Sequence, residues 1–186
     1  MQYIEWFKIH ENAFSAKLNG HLSPPYVEYH ALLKFINQSG KILDLGCGNG
    51  MLLKFICEFS EFDLIPFGID KKTEVIDEAK RNLSKFTHNF SSEDVVNYTF
   101  KESFDIIICN DFYEKKVSEF DIEGLLTKCL ANLNPTGRLI YILHNDVKIR
   151  NNIQTLSELS QLIKYKIKEQ DVSTTIAILD KKDQEF

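Results

Sequence analysis

Short apolar runs alternate with segments of helical apolar spacing from residue 41 to the end of the chain. A short apolar run is typical of a buried strand, and apolar residues three and four positions apart are typical of a helix that packs on a sheet. The alternation therefore predicts consecutive strand–helix units and a mostly parallel sheet. The predicted strands span residues 41–45, 64–69, 87–91, 104–109, 138–144, 165–171 and 174–180. The predicted helices span residues 51–59, 73–83, 121–133 and 148–163.

Polar residues mark where some of these elements begin and end. Thr73 and Asp121 precede segments of helical apolar spacing, and we expect both to cap the helices there. Asn134-Pro135-Thr136-Gly137 is expected to end the second of these helices before the strand at residue 138. Only two residues separate the last two strands, whereas a parallel connection needs about a dozen residues or more. The chain is therefore predicted to finish in an antiparallel hairpin.

The first 40 residues have a different pattern, which predicts two helices at residues 4–18 and 24–36. Pro24 suits the start of the second helix, because its missing amide would have no partner there. We interpret residues 1–40 as a helical lid or substrate segment, and residues 41–186 as one compact domain. Aromatic and histidine side chains of the segment either wall a substrate pocket or pack the helices on the sheet, and packing is the favoured interpretation. These side chains are Trp6, Phe7, His10, Phe14, His21, Tyr26, Tyr29 and His30.

Composition limits the classes of function that remain. The 186 residues carry a net charge of −5, which argues against broad electrostatic capture of nucleic acid but allows a local basic patch. No apolar run approaches the ~20 residues that span a bilayer, and the N-terminus does not resemble a signal peptide, so no membrane association is expected. The four cysteines, Cys47, Cys57, Cys109 and Cys129, lack metal-site spacing. They predict reduced thiols in a cytoplasmic protein without a metal.

The segment Asp44-Leu-Gly-Cys-Gly-Asn-Gly50 carries the strongest functional signal. A buried strand ends there in three alternate glycines and passes into a helix, whose first amides suit an acceptor group such as a carboxylate. Met51 stands where a dinucleotide-binding turn would have its third glycine. Asp44 adds a negative charge before the turn. That charge disfavours a pyrophosphate but is compatible with the ammonium and sulfonium groups of S-adenosylmethionine.

A second acid follows at the end of the next predicted strand, in Phe67-Gly-Ile-Asp70. A carboxylate in this position can accept hydrogen bonds from both hydroxyl groups of a ribose. At this distance from the glycine turn, Asp70 predicts a cofactor that contains a nucleoside.

These motifs resemble those of the class I, Rossmann-like S-adenosylmethionine-dependent methyltransferase family, over residues 41–180. Ile42 to Gly50 is similar to the family's first motif, and Phe67 to Asp70 to its second. Phe104 to Asp111 resembles the motif of the fourth strand. Leu133 to Ile140 resembles the turn into the fifth strand, with Thr136 in place of a glycine. The resemblance implies a three-layer α/β/α sandwich with N-terminal helices and a seven-stranded, mostly parallel sheet of order 3-2-1-4-5-7-6, whose seventh strand is antiparallel.

The resemblance also implies roles for individual residues. The three glycines would border the methionine part of S-adenosyl-L-methionine, and Asp44 would orient its amino end. Asp70 would hold the ribose, and either Glu93 or Asp94 would contact adenine. Asn110 would lie near the methyl donor. The complete expected cofactor-binding set is Asp44, Gly46, Cys47, Gly48, Asn49, Gly50, Asp70, Lys71, Glu93, Asp94 and Asn110.

Candidates for substrate contact or for a general base lie near the carboxyl ends of the fourth and fifth predicted strands, where open α/β sheets bind ligands. They are Asn110, Asp111, Tyr113 and His144. Each also has a simpler interpretation as a helix cap, a solvated loop residue or a packed side chain.

Three functional hypotheses remain open on the acceptor side. The leading hypothesis is a methyltransferase that acts on a small or medium organic acceptor, because no sizeable insertion separates the fifth strand from the final hairpin. The second is a methyltransferase that acts on protein or RNA, which would need a basic or grooved surface. The third is a non-catalytic, regulatory subunit that only binds S-adenosylmethionine. A nicotinamide-dependent oxidoreductase is disfavoured by the glycine spacing and by the terminal hairpin.

Overall fold

The computed structural model describes residues 2–10, 13, 26–110, 119–144, 163–169 and 172–181. Its strands are β1 (Gly40–Leu45), β2 (Leu64–Asp70), β3 (Phe90–Ser92), β4 (Phe104–Asn110), β5 (Leu133–His144), β6 (Ile163–Glu169) and β7 (Val172–Asp180). Its α-helices are α1 (Gln2–Ile9), α2 (Tyr26–Leu33), α3 (Met51–Phe59), α4 (Thr73–Asn82) and α5 (Glu119–Ala131). Two short 3₁₀ helices span Ser84–Asn89 and Val95–Asn97.

The seven strands form one sheet in the order β3-β2-β1-β4-β5-β7-β6. Neighbouring strands run parallel from β3 to β5, and β7 runs antiparallel to both β5 and β6. The predicted order and the predicted terminal hairpin are therefore confirmed. Because β1 lies between β2 and β4, the strand order reverses at β1. The carboxyl ends of β1 and β4 consequently border the crevice in which open α/β sheets bind ligands.

Apolar side chains cover both faces of the sheet, as expected for a parallel sheet between helices. On one face Ile42, Ile106 and Ile140 pack with residues of α2, α3 and α4. On the other face Leu43, Ile107 and Leu139 pack with residues of α5. The alternation along each strand yields the predicted three-layer sandwich.

In the described residues, both N-terminal helices end before the residue that the sequence pattern predicts, and the predicted helical residues 14–18 and 24–25 lie outside the described part of the chain. The first begins at Gln2 and ends at Ile9, and the second ends at Leu33 rather than at residue 36. After Leu33 the amides of Lys34, Phe35 and Ile36 each bond to the carbonyl three residues earlier, which tightens the chain out of the α-helix. Pro24 lies outside the described residues.

Both predicted capping residues are wrong. Thr73 is the first residue of α4 and not its cap, and its hydroxyl pairs with the Ser92 hydroxyl at 3.1 Å. The preceding residue, Lys72, instead donates its amide to Asp70 Oδ1 at 2.9 Å, which turns the chain into the helix. Asp121 lies inside α5, which already begins at Glu119.

The third strand and the entry to the fifth strand also differ from prediction. The third was expected at residues 87–91, but residues 84–89 form a 3₁₀ helix and β3 pairs only with Gly68, Ile69 and Asp70. The segment 134–137 was expected to be a turn before the fifth strand; it makes a tight turn inside the range of β5, where the register with β4 shifts and a Cβ atom on Gly137 would lie 2.9 Å from the Asn134 carbonyl oxygen. Asn134 there donates to Asp105 Oδ1 at 2.7 Å, and this bond to β4 holds the segment beside the sheet. The predicted helix at 148–163 falls outside the described residues, except that Ile163 begins β6.

An ion pair between Arg138 and Asp180 lies near the amino edge of the parallel strands. The Arg138 guanidinium donates to both carboxylate oxygens of Asp180, at 2.5 and 2.7 Å, and to the carbonyl of Phe35 at 3.1 Å. Arg138 thereby joins β5, the end of β7 and the segment after α2. Both charged side chains are only 13% exposed, so each depends on the other for compensation of its charge.

We expect Arg138→Gln to lower the free energy of unfolding by about 3 kcal/mol, because it leaves the Asp180 carboxylate buried and uncompensated. The matched control is Lys41→Gln, which removes an ion pair with Glu102 whose two side chains are 41% and 36% exposed. That change should cost less than about 1 kcal/mol. Urea unfolding of both variants measures the difference, and equal effects would contradict the role assigned to Arg138.

Candidate active site

The glycine turn between β1 and α3 has the backbone that its sequence predicts. Gly46, Gly48 and Gly50 have φ angles of 82°, 52° and 74°, in the region that disfavours residues with a Cβ atom. The amides of Gly46 and Cys47 both donate to the carbonyl of Ile69, at 2.8 and 2.9 Å. These bonds fix the turn against the end of β2.

Two glycines are needed for close packing, whereas one faces open space. A Cβ atom on Gly50 would lie 3.1 Å from Ala79 Cβ on α4, and one on Gly68 would lie 2.7 Å from Cys47 Sγ. A Cβ atom on Gly48 would have no neighbour within 4 Å among the described residues. Gly48 is thus the point at which ligand atoms can approach the backbone of the turn.

Asp44 carries the buried carboxyl group of the site. Its side chain is 2% exposed, and its Oδ1 has no hydrogen-bond partner in the described part of the chain. Burial, and secondarily the charge of Asp70, raises the pKa of this carboxyl from 3.8 to about 7. A buried carboxyl oxygen without a partner is a site for a cation or a hydrogen-bond donor supplied by a ligand.

The Asp70 carboxylate accepts hydrogen bonds from two backbone amides. Its Oδ2 accepts from the Gly48 amide at 3.1 Å, and its Oδ1 accepts from the Lys72 amide at 2.9 Å. The carboxylate is therefore held at the mouth of the glycine turn, with further lone pairs for a ligand. The side chain of Lys71, also expected at the cofactor, is exposed.

The structure distinguishes the two acids that follow β3. The amide of Glu93 donates to the carbonyl of Asp70 at 3.1 Å, and the Glu93 carboxylate accepts from the Ser91 hydroxyl at 2.9 Å. Asp94 is exposed, and its carboxylate accepts from the Val96 amide at 2.9 Å as the cap of a 3₁₀ helix. Glu93 therefore lies directly beside Asp70, whereas Asp94 is engaged in capping.

Asn49 connects the turn to two other parts of the chain. Its side-chain amide donates to the backbone carbonyl of Ala13 at 3.0 Å. Its backbone carbonyl accepts from the side-chain amide of Asn82 at the end of α4. The Cys47 thiol is buried and donates to the Gly48 carbonyl at 3.6 Å. The side chains of Asn49 and Cys47 thus shape the turn through these contacts.

The acceptor-side candidates are only partly described. Asn110 is the last residue of β4, is half-buried and pairs with Ile142 of β5. Asp111 and Tyr113 lie outside the described residues. His144 is the last residue of β5, where its backbone pairs with Thr174, and its side chain is not described. Asn110 and His144 therefore share the carboxyl edge of the sheet with the glycine turn.

The aromatic residues of α1 pack on α3, as the favoured interpretation of the sequence predicts. Trp6 and Phe7 are buried with Met51 and Phe55, and the Trp6 and Phe55 ring centroids are 5.2 Å apart. Trp6 Nε1 also donates to the Glu58 carboxylate. The first helix is thereby anchored to the helix that begins at the glycine turn.

Sequence reasoning missed Glu28 of α2, a half-buried residue whose carboxyl pKa burial raises from 4.5 to about 7. The next residue, Tyr29, has a raised pKa because of burial and then because of the charges of Glu28 and Asp44. The second helix therefore brings the Tyr29 phenol within the electrostatic reach of both Glu28 and Asp44. The available signal was the four-residue spacing between Glu28 and the apolar Leu32, which places both on one face of a helix.

Residues 36–185 match the model of a family described as a methyltransferase domain. No curated protein matches the sequence significantly. Among solved structures, the N-methyltransferase NodS from Bradyrhizobium japonicum WM9, in complex with S-adenosyl-L-homocysteine, matches with a TM-score of 0.72 and 16% identity over 94% of this chain and 97% of that one. A methyltransferase from Pyrococcus furiosus matches with a TM-score of 0.70 and 20% identity over 97% and 96% of the two chains. An rRNA methylase from Streptococcus thermophilus matches with a TM-score of 0.61 and 16% identity over 86% and 97%.

The raised pKa of Asp44 predicts a specific pH dependence of stability. The folded protein without added ligand keeps the Asp44 proton up to about pH 7, whereas the unfolded chain loses it near pH 3.8. Folding therefore takes up a proton between these values, and this contribution makes the protein less stable as the pH rises through that window. Asp44→Asn removes the contribution. Its stability relative to the native protein should increase from pH 4 to pH 8, by about 1 kcal/mol or more.

Thermal unfolding at pH 4, 6 and 8 measures this difference, and about 1 kcal/mol corresponds to a shift of roughly 3 °C in Tm for a chain of this size. Asp63→Asn is the matched control, because Asp63 is exposed at the opposite end of β2. A difference between Asp44→Asn and the native protein that does not change with pH would show that Asp44 is ionised throughout.

Proposed function

Because the chain belongs to the methyltransferase-domain family, whose members use S-adenosylmethionine, we propose that it methylates a small or medium-sized organic acceptor. The observation that carries the cofactor assignment is the buried, unpartnered oxygen of Asp44 immediately before the open face of Gly48. A pyrophosphate would bring neither a cation nor a hydrogen-bond donor to that oxygen. A cofactor with a positively charged amino-acid end supplies what Asp44 lacks.

The other residues of the turn suit the remaining parts of the cofactor. In this proposal the exposed amide side of the glycine turn receives the methionine carboxylate, since backbone amides at a helix start favour anions. Asp70 accepts hydrogen bonds from the ribose. Glu93 is preferred to Asp94 for the adenine, because the backbone amide of Glu93 donates to the Asp70 carbonyl at 3.1 Å. Because Lys71 is exposed, it contacts the cofactor at most through its backbone and the aliphatic part of its side chain.

S-adenosylmethionine, when bound, supplies an activated methyl group on a sulfonium centre. The protein then has to position the acceptor in line and exclude water, and it needs a base only if the nucleophile must lose a proton. We assign these tasks to the carboxyl edge of β4 and β5 and to residues 1–40. Asn110, Asp111, Tyr113 and His144 remain the candidates for acceptor contact on the β4–β5 side.

The charge of the protein supports a small acceptor over an RNA. The net charge is −5, and Asp70 adds a negative charge at the mouth of the glycine turn. A polyanionic substrate requires cations that displace its counterions. The fold itself does not decide the question, because both an N-methyltransferase and an rRNA methylase share it.

The cysteines support a reducing compartment, and we propose a cytoplasmic location. All four are free, and three of them are buried. Burial raises the pKa of the Cys57 and Cys129 thiols to about 12, so both stay protonated at neutral pH. In the described part of the chain, no helix has the length and apolar character of a membrane span.

Asp70→Ala should weaken binding of S-adenosyl-L-homocysteine by about 5- to 150-fold, the effect of losing roughly 1–3 kcal/mol of hydrogen bonding to a buried group. Isothermal titration calorimetry measures it. Asp63→Ala, at the other end of β2, is the matched control and should bind like the native protein. Unchanged affinity in Asp70→Ala would refute the ribose assignment. Binding of NAD in place of S-adenosyl-L-homocysteine would refute the proposed function.

The acceptor class is tested with S-adenosylmethionine that carries a labelled methyl group and a cell extract divided into small-molecule, RNA and protein fractions. We expect label in the small-molecule fraction. Transfer that is confined to RNA or protein would contradict the proposal. Tight cofactor binding without transfer to any fraction would indicate the regulatory alternative.

A further inference from the structure

The first helix runs toward the glycine turn. Near the start of α1, the ring centroid of Tyr3 lies 4.8 Å from that of Phe59, the last residue of α3. One helical turn later, the ring centroid of Phe7 lies 5.4 Å from that of Phe55, and Phe7 packs in one cluster with Met51, the first residue of α3. Because α3 begins at the glycine turn, α1 is antiparallel to it and directs the chain that follows toward that turn.

Asn49 contacts the chain where it arrives at the turn. We call residues 2–10 and 13 the α1 segment. The side-chain amide of Asn49 donates to the backbone carbonyl of Ala13 at 3.0 Å. The Ala13 amide donates to the His10 carbonyl at 2.9 Å, and the His10 amide donates to the Trp6 carbonyl at 3.1 Å. Backbone hydrogen bonds therefore connect α1 to the residue that Asn49 binds.

The backbone of Asn49 is held from the other side by α4. The side-chain amide of Asn82, the last residue of α4, donates to the Asn49 backbone carbonyl at 2.9 Å. The next residue of the turn, Gly50, lies so close to α4 that a Cβ atom there would be 3.1 Å from Ala79 Cβ. The preceding residue, Gly48, is the point at which a ligand can approach the backbone. Asn49 therefore contacts the α1 segment and α4, and it adjoins the place where the ligand is expected.

The turn has a backbone whose motion a ligand restricts. Its three glycines all have positive φ angles, and glycine loses more conformational freedom on ordering than any other residue. A ligand that bonds to the turn removes part of this freedom. A group that is hydrogen-bonded to the turn then loses less entropy when it docks there. Binding of the ligand and docking of the α1 segment through Asn49 should therefore favour each other.

We propose that Asn49 is a positioning residue whose side chain couples cofactor binding at the glycine turn to the docking of the α1 segment. This inference rests on the proposed function and adds a conformational link to the same site. The cofactor orders the turn, and Asn49 passes that order to Ala13 and so to the end of α1. Residues 1–40 are the part of the chain to which acceptor positioning is assigned above. The cofactor-bound protein therefore presents an ordered α1 segment to the acceptor.

Trp6 makes the docking of the α1 segment measurable, because it is the only tryptophan in the sequence. Its Nε1 donates to the Glu58 carboxylate on α3, and its ring centroid lies 4.2 Å from that of His10. The fluorescence of Trp6 therefore depends on how α1 is seated. We expect saturating S-adenosyl-L-homocysteine to change this fluorescence in the native protein. It should also slow amide hydrogen exchange in peptides that cover α1 by about 2- to 10-fold, the effect of one net hydrogen bond.

Three substitutions of Asn49 test the donor itself. Asn49→Ala removes it, and the Trp6 and exchange responses to saturating S-adenosyl-L-homocysteine should disappear. Because coupling acts in both directions, binding should also weaken by about 2- to 10-fold. Asn49→Asp keeps the size of the side chain but turns an acceptor toward the Ala13 carbonyl, so it should lose the responses as well. Asn49→Gln keeps an amide donor and should restore part of them.

Two further variants separate coupling from stability of the turn. Asn82→Ala removes the bond to the Asn49 backbone carbonyl and leaves the Ala13 contact. It should weaken binding but keep the Trp6 response at saturation. Asn132→Ala is the matched control, because it too removes an asparagine side chain that donates to a backbone carbonyl, at 2.8 Å to Lys128 and next to the amino end of β4. It should bind and respond like the native protein.

The outcomes are distinguishable. If the native protein does not bind S-adenosyl-L-homocysteine, the proposed function fails. If it binds but neither Trp6 nor the α1 amides respond, the function stands and the inference is overturned. A native response of Asn49→Ala at saturation would overturn it too. So would a complete loss of binding in folded Asn49→Ala and Asn49→Gln, because Asn49 would then be a direct ligand of the cofactor. If Asn49→Ala does not fold, the contrast between Asn49→Asp and Asn49→Gln decides.

Discussion

The carboxyl group of Asp44, buried on the central strand with one oxygen unbonded, is the constraint on which the site depends. A charge in that position is costly, and the fold meets the cost by keeping the group largely protonated until a ligand compensates it. The glycine turn makes that position reachable, because Gly48 leaves its face open while Gly50 and Gly68 let α4 and β3 pack closely around it. Asp70 then fixes the turn through the Gly48 amide. The same local arrangement therefore buries the carboxyl group and leaves the backbone of Gly48 open to a ligand.

Features that follow from periodicity and from short-range backbone geometry were predictable from the sequence. Alternating strand and helix patterns predict a mostly parallel sheet, and the short connection before β7 and three alternate glycines predict the hairpin and the turn, since each depends on neighbouring residues. The order of the strands does not follow from these patterns and was implied by the resemblance to a known family. Boundaries that depend on distant partners were not predictable. Thr73 has the composition of a cap, but Asp70 turns the chain one residue earlier by accepting from Lys72. Residues 134–137 have the composition of a turn, but the turn lies inside the range of β5, because Asn134 binds Asp105 and stays beside the sheet.

The same distinction applies to the candidate site. Asp44, Asp70 and the glycines were proposed from the sequence because they belong to a local motif, and the structure brings Asp70 and the glycine turn together. The proposed preference for Glu93 over Asp94 rests on contacts that the sequence does not reveal, the backbone bond from Glu93 to Asp70 and the capping bond of Asp94. The partial burial of Glu28 could not be predicted from the sequence, because it results from the packing of α2 on the sheet. The side chain of Asn49 likewise has its partner in a distant segment, at Ala13.

The raised pKa of the buried Asp44 carboxyl group has a consequence for binding. The group is predominantly neutral at slightly acidic pH, so the apolar surroundings tolerate it without a ligand. A bound cation stabilises the ionised form, and that ionisation releases a proton. Binding of a cation beside Asp44 is therefore linked to pH and becomes more favourable as the pH rises toward the pKa of the group. The N-terminal helices contribute to the same surroundings, because α2 carries Tyr29, whose pKa the charge of Asp44 raises, although only the sheet carries the recognisable motif.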